Sequence, residues 1–137
     1  MAELLKHPAH PSFPFWEALD ELVKTHEIVI DRPAGSSHPR DPNDIYPLDY
    51  GYLRDTSSND GDGIDTWIGT QGRRIANAIV ITVDLWKHDS EIKILLGCTK
   101  EETEVILTRH SQGKQSALLV ERTVNDSSLD ADAQRSN

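Results

Sequence analysis

Asn59-Asp60-Gly61-Asp62-Gly63-Ile64-Asp65 puts three carboxylates, two glycines and one apolar anchor into seven residues. Ahead of it, Tyr46-Pro47-Leu48-Asp49-Tyr50-Gly51-Tyr52-Leu53 reads as a turn feeding a strand. Behind it, Ile64 to Ile68 alternates apolar and polar residues, the pattern of a second strand. The carboxylates are therefore expected on a tight loop between two strands. Asp60, Asp62 and Asp65 converging there repel one another unless a cation or a proton offsets their charge. An oxygen-only donor set favours a hard ion such as Mg²⁺ or Mn²⁺. An ordinary hairpin loop has the same Asp and Gly composition, because both residues tolerate turn geometry. An EF-hand does not fit: its twelfth position falls on Gly69 instead of Glu, and no helix flanks the loop.

The chain has 137 residues, the size of one domain with a single core, and its 36% hydrophobic content leaves room for unpacked tail. A net charge of −9 argues against nucleic acid or an anionic membrane as partner, and an anionic substrate would need a bound cation or local Arg and Lys. Cys98 is the one cysteine, so no internal disulfide forms and a reducing compartment is consistent. The first residues lack an apolar signal core, and no run approaches membrane-spanning length. The expectation is a soluble, cytoplasmic protein.

Three prolines, Pro8, Pro11 and Pro14, make residues 1–14 an irregular lead-in to a domain over 15–124. Phe15, Trp16, Leu19, Leu22 and Val23 form one stripe of a helix over 15–25, set to pack on the core or on a second subunit. Glu27 to Asp31 is a short β-branched strand. Residues 33–47 read as a long loop carrying Ser36, Ser37, His38 and Arg40. An arginine near a carboxylate cluster can hold phosphate through two parallel hydrogen bonds; a solvated surface arginine fits the same residue. Ala76 to Leu85 is the strongest strand, apolar enough to be buried on both faces, and Asp84 stands near its end. In the returning strand Asp89, Glu91 and Lys93 share a face at period two. Thr99 to His110 is a second helix, with Thr99 as N-cap and Val105, Ile106 and Leu107 on the buried side. Ala117 to Val120 is a last strand, and residues 125–137 have the composition of a disordered tail. Cys98 adjoins an apolar strand and reads as a small buried residue.

Tyr46-Pro47-Leu48-Asp49-Tyr50-Gly51-Tyr52 followed by Asp60-Gly61-Asp62-Gly63-Ile64-Asp65 resembles the soluble family I inorganic pyrophosphatases, over about Glu27 to Ile94. The resemblance implies a mainly β fold with flanking helices, an OB-like five-stranded β-barrel of the inorganic pyrophosphatase type. It implies Mg²⁺- or Mn²⁺-dependent hydrolysis of pyrophosphate. Asp60 and Asp65 would bind the activating metal pair, and Asp62 would be general base for the attacking water. Asp84 would hold further metal, with Asp89 or Glu91 as another ligand and Asp31 in place of the family's usual Glu. Tyr50 and Lys93 would contact phosphate, and Arg40 is the one clear cation of its loop. The chain departs from the family where a Tyr-Lys pair is usual and Arg109-His110 stands instead, and Asp49 replaces a usual Asn. Fewer cations leave two further readings open: another phosphorylated substrate, or a non-catalytic metal-binding homologue. An apolar helix beside a short barrel also suits a homo-oligomer.

Overall fold

The computed structural model describes residues 14–58 and 61–123. Asp60, most of the lead-in and the C-terminal tail therefore lie outside the described residues. Helix α1 (Phe15–Lys24) is followed by strands β1 (Ile28–Arg32), β2 (Ser37–His38), β3 (Asp41–Ile45), β4 (Asp49–Leu53), β5 (Asp65–Ile68), β6 (Ala76–Asp84) and β7 (Asp89–Leu96). Helix α2 (Lys100–Arg109) and strand β8 (Gln115–Glu121) complete the order.

Six strands make one sheet in the order β1-β4-β5-β7-β6-β8. This corrects the expectation of five, and among the described residues no pairing closes β1 onto β8 into a barrel. All neighbours are antiparallel except β5 and β7. That parallel pair joins the acidic-loop hairpin to the β6–β7 hairpin and sets Asp65 opposite Lys93. The expected long loop over 33–47 is also corrected: β2 and β3 pair there as a separate two-stranded sheet, and Pro42 lies in exposed β3. Proline is tolerated on such a strand because no central ladder needs its missing N–H.

The alternating strand residues sort into two apolar layers. One face joins Trp67, Val80 and Leu95 to Ile106 of α2; the other joins Leu53, Ile94 and Leu96 to Val23 of α1. Phe15, expected in the α1 stripe, is instead 54% exposed, and its ring meets Trp16 edge-on. Strand β6 is buried on both faces only in its first half. Val83 and Leu85 are exposed at the far end of the hairpin. In α2 the buried residues are Thr103 and Ile106, whereas Val105 is exposed: the positions three apart face the sheet. Thr99 caps α2 as expected, in a reciprocal box with Glu102, whose carboxylate also accepts from the amide and hydroxyl of Thr70.

Candidate active-site cleft

Strand pairing puts Tyr50, Asp65, Trp67, Glu91, Lys93 and Thr82 on the sheet face that α2 covers in part. Lys93 is the hub. Its ammonium donates to Asp65 Oδ2 at 2.7 Å, to Glu91 Oε2 at 3.0 Å and to Tyr50 Oη at 3.1 Å. The residue is only 5% exposed. Burial works against its charge, but Tyr50 and Asp65 outweigh that and hold the ammonium above the ordinary lysine value. Tyr50 is pushed above the ordinary phenol value by burial, with Asp65 adding to the rise and Lys93 opposing it. At neutral pH the cluster therefore holds a protonated lysine beside a neutral phenol.

Two cavities flank this hub. A cleft of about 720 Å³ is lined by Tyr50, Lys93, Glu91, Asp89 and Asp84 on the strand side and by Arg109 and His110 at the end of α2. A smaller cavity of about 370 Å³ is lined by Asp31, Tyr52, Asp62, Gly63 and Asp65. Asp65 thus lines one cavity while bonding the lysine that lines the other. Asp31 reaches its cavity from a bulge: the register of β1 on β4 shifts between Ile30 and Arg32, and Asp31 is the residue left over.

Each expected site residue has a definite place except Asp60. Asp62 and Asp65 share the smaller cavity with Asp31. Asp84 and Asp89 face each other at the mouth of the β6–β7 hairpin and line the cleft together with Glu91. Asp84 Oδ1 also accepts from the amides of Trp86 and Lys87, and the Lys87 amide is the main reason its carboxyl titrates below the usual range. Arg40 stands apart: it is exposed, lines neither cavity, and its amide donates to His38 Nδ1 in the β2–β3 turn.

Sequence reasoning did not find the aromatic and polar wall of the cleft. Trp67 Nε1 donates to His110 Nε2 at 3.0 Å, and His110 Nδ1 meets Gln115 Oε1 at 3.2 Å. An indole can only donate, so Nε2 is the acceptor and Nδ1 carries the proton. Burial, helped by the Lys93 charge, pushes His110 down to about 4, and it is neutral at pH 7. The Arg109 guanidinium lies 4.5 Å from the Tyr46 ring centroid and pairs with Asp44 at 2.8 Å. The Arg109-His110 dipeptide at the end of a helix was the available signal; Trp67 and Asp44, their partners, come from distant segments. Cleft-lining charges number four carboxylates (Asp44, Asp84, Asp89, Glu91) against three cations (Lys87, Lys93, Arg109), so a polyanion would need added positive charge to enter.

Among the described residues no three His, Cys, Asp or Glu side chains form a ready cage for an ion. Mg²⁺, however, commonly uses one or two carboxylates and completes its shell with water and phosphate oxygens. Asp31 and Asp65, two carboxylates bordering one cavity, fit that habit.

The sequence matches no family model and no curated protein. Among solved structures, an inorganic pyrophosphatase from Neisseria gonorrhoeae superposes with a TM-score of 0.54 at 16% identity, covering 79% of this chain and 88% of that one. The chain has the inorganic pyrophosphatase fold. The inorganic pyrophosphatase from Helicobacter pylori aligns at 12% identity and a TM-score of 0.49, over 80% of this chain and 91% of that one. At such identities the likeness concerns the fold. Within this pyrophosphatase fold, the motif residues Tyr50, Asp62 and Asp65 and the candidates Asp84, Asp89, Glu91 and Lys93 all border the paired cavities.

Proposed function

We propose that the chain hydrolyses inorganic pyrophosphate to two phosphates in a Mg²⁺-dependent reaction, with Mn²⁺ as the alternative ion. The observation that carries this reading is the placement of Asp31, Asp62 and Asp65 around one cavity that adjoins, through the Asp65–Lys93 pair, a larger polar cleft. The shared fold supports it.

Asp65 and Asp31, with Asp60 of the acidic loop, would hold the ion, and Asp84 with Asp89 or Glu91 would serve further charge at the cleft. When bound, the ion supplies neutralisation of phosphate charge and a lowered pKa for its water. Asp62 then takes the proton of the attacking water as general base. Tyr50, kept neutral, offers its hydroxyl to a phosphate oxygen. Lys93 holds Asp65 and Tyr50 in position and adds positive potential to the cleft. No covalent nucleophile is needed, which agrees with the deep burial of Cys98 and a thiol that burial, with Glu102, pushes up to about 12.

A second reading has its own support. Lys93 spends its three N–H groups on protein acceptors, Arg109 is paired to Asp44, and His110 is neutral. With four carboxylates lining the cleft and Lys87 its one cation outside these pairings among the described residues, the site suits a phosphorylated substrate of lower charge than pyrophosphate. Phosphate release from pyrophosphate with Mg²⁺, beside no-metal and Asp65→Ala controls, tests the first reading. Metal-dependent release that the substitution reduces at least 100-fold is expected. Release from another phosphate ester or anhydride, with none from pyrophosphate, would replace the first reading by the second. No release from any of them would leave a non-catalytic homologue.

A further inference from the structure

We propose that the Lys93 ammonium is a built-in counter-cation: it occupies the position between Asp65 and Glu91 that a divalent ion would otherwise take, so the protein loads fewer ions here than its carboxylates could serve. Three observations converge on this. The ammonium lies within 3.0 Å of a carboxylate oxygen from each acid, and those acids come from different strands, β5 and β7. All three of its protons have acceptors, the third being Tyr50 Oη, so its geometry is that of a coordinated cation more than of a group awaiting substrate. The side chain is 7% exposed, with Asp65 at 28% and Glu91 at 15%, so solvent does little of the neutralising.

Charge balance decides what the ammonium can and cannot do. Two carboxylates with one ammonium keep a net charge of −1. That residual charge is shared by Asp65, the one member of the cluster that also lines the cavity of Asp31 and Asp62. Ion loading is therefore directed to the smaller cavity, and the Glu91 side of the cluster is closed to an ion while Lys93 is present. Removing the ammonium leaves two facing carboxylates in a poorly solvated place. A divalent ion then becomes the cheapest way to offset their repulsion.

This inference concerns the ligand set of the proposed hydrolase, and its readouts are ion stoichiometry and melting temperature, so it stands or falls apart from turnover. The full chain, Lys93→Met and Lys93→Met/Glu91→Gln are each titrated with Mn²⁺ while free Mn²⁺ is followed by electron paramagnetic resonance, and each is melted with and without the ion. Lys93→Met is expected to bind one more Mn²⁺ per chain than the unmodified protein, and to gain more in melting temperature on its addition. The double variant is expected to lose that extra ion and to melt higher than Lys93→Met when no metal is present. Equal stoichiometry in the unmodified protein and Lys93→Met overturns the proposal, as does an extra ion that survives Glu91→Gln. If Lys93→Met is unfolded without metal, recovery of its circular dichroism on adding Mn²⁺ supports the proposal, and failure to recover overturns it.

Discussion

His110 shows most clearly how a single side chain is set by its surroundings. Its ring is buried between Trp67 and Gln115 and can satisfy both only as the neutral Nδ1-protonated form. Protonating Nε2 would turn two N–H groups against each other. The folded pKa, about 4, lies below the ordinary value of 6.5. Stability from this residue is thus fully present above pH 6.5, where both states are neutral, and is lost as pH falls towards 4, because the unfolded chain binds the proton first. The size of the loss is roughly 3 kcal/mol. Urea unfolding across that range should show a steeper decline for the unmodified protein than for His110→Gln; parallel curves would mean the ring is not held neutral. The sequence marked His110 as a helix-end residue standing where the family has a Tyr-Lys pair, and nothing in it showed the ring to be held neutral. Trp67 lies 43 residues away, and Gln115 reaches the ring only across the turn after the helix, so no strand or helix period joined them to it.

Among the elements, β4 illustrates how much a glycine position can carry. A Cβ on Gly51 would run into the carbonyl oxygen of Val29 on β1. That close approach lets β1 pair with β4 and holds the bulge from which Asp31 reaches its cavity. Gly51→Ala is expected to cost at least about 3 kcal/mol and to loosen β1 first. Hydrogen exchange should then show early loss of protection at Ile28–Ile30, while the amides of β6 and β7 stay slow. The elements themselves were mostly legible. The apolar run of β6, the period-two acids of β7 and the capping signal of α2 all lie in the sequence where the structure has them. The β2–β3 pair was not, because its strands are short, polar and proline-bearing, and only their pairing makes them strands.

At the scale of the whole molecule, an ion pair with a buried arginine fastens helix α1 to the sheet. Arg122 follows β8, and its guanidinium bonds both oxygens of Asp20 at 2.8 and 2.9 Å, donates to the carbonyl of Ala76 and lies 5.7 Å from the ring centroid of Trp16. Its side chain is fully buried. Removing the carboxylate strands the buried guanidinium, so Asp20→Ala should lower unfolding free energy by about 3 kcal/mol in denaturant titration. Combining it with Arg122→Met should cost clearly less than the sum of the two single changes, since no buried charge is then left alone. Strict additivity would show the pair to be energetically uncoupled.

Sequence alone determined the local chemistry: the acidic loop between two strands, the Tyr50 and Asp65 motif, and the shared face of Asp89, Glu91 and Lys93. These follow from residue type and from the period of a strand, which need no distant partner. Only the tertiary structure decided that Asp65 meets Lys93, through a parallel pairing across 28 residues, and that Arg40 stands away from the site while Arg109 and His110 line it. It also decided that the sheet has six strands with unpaired edges at β1 and β8 among the described residues. The reason is physical: strand register and helix placement minimise the free energy of the whole core. Which charges meet is a consequence of that packing and is not written in the spacing of the residues that carry them.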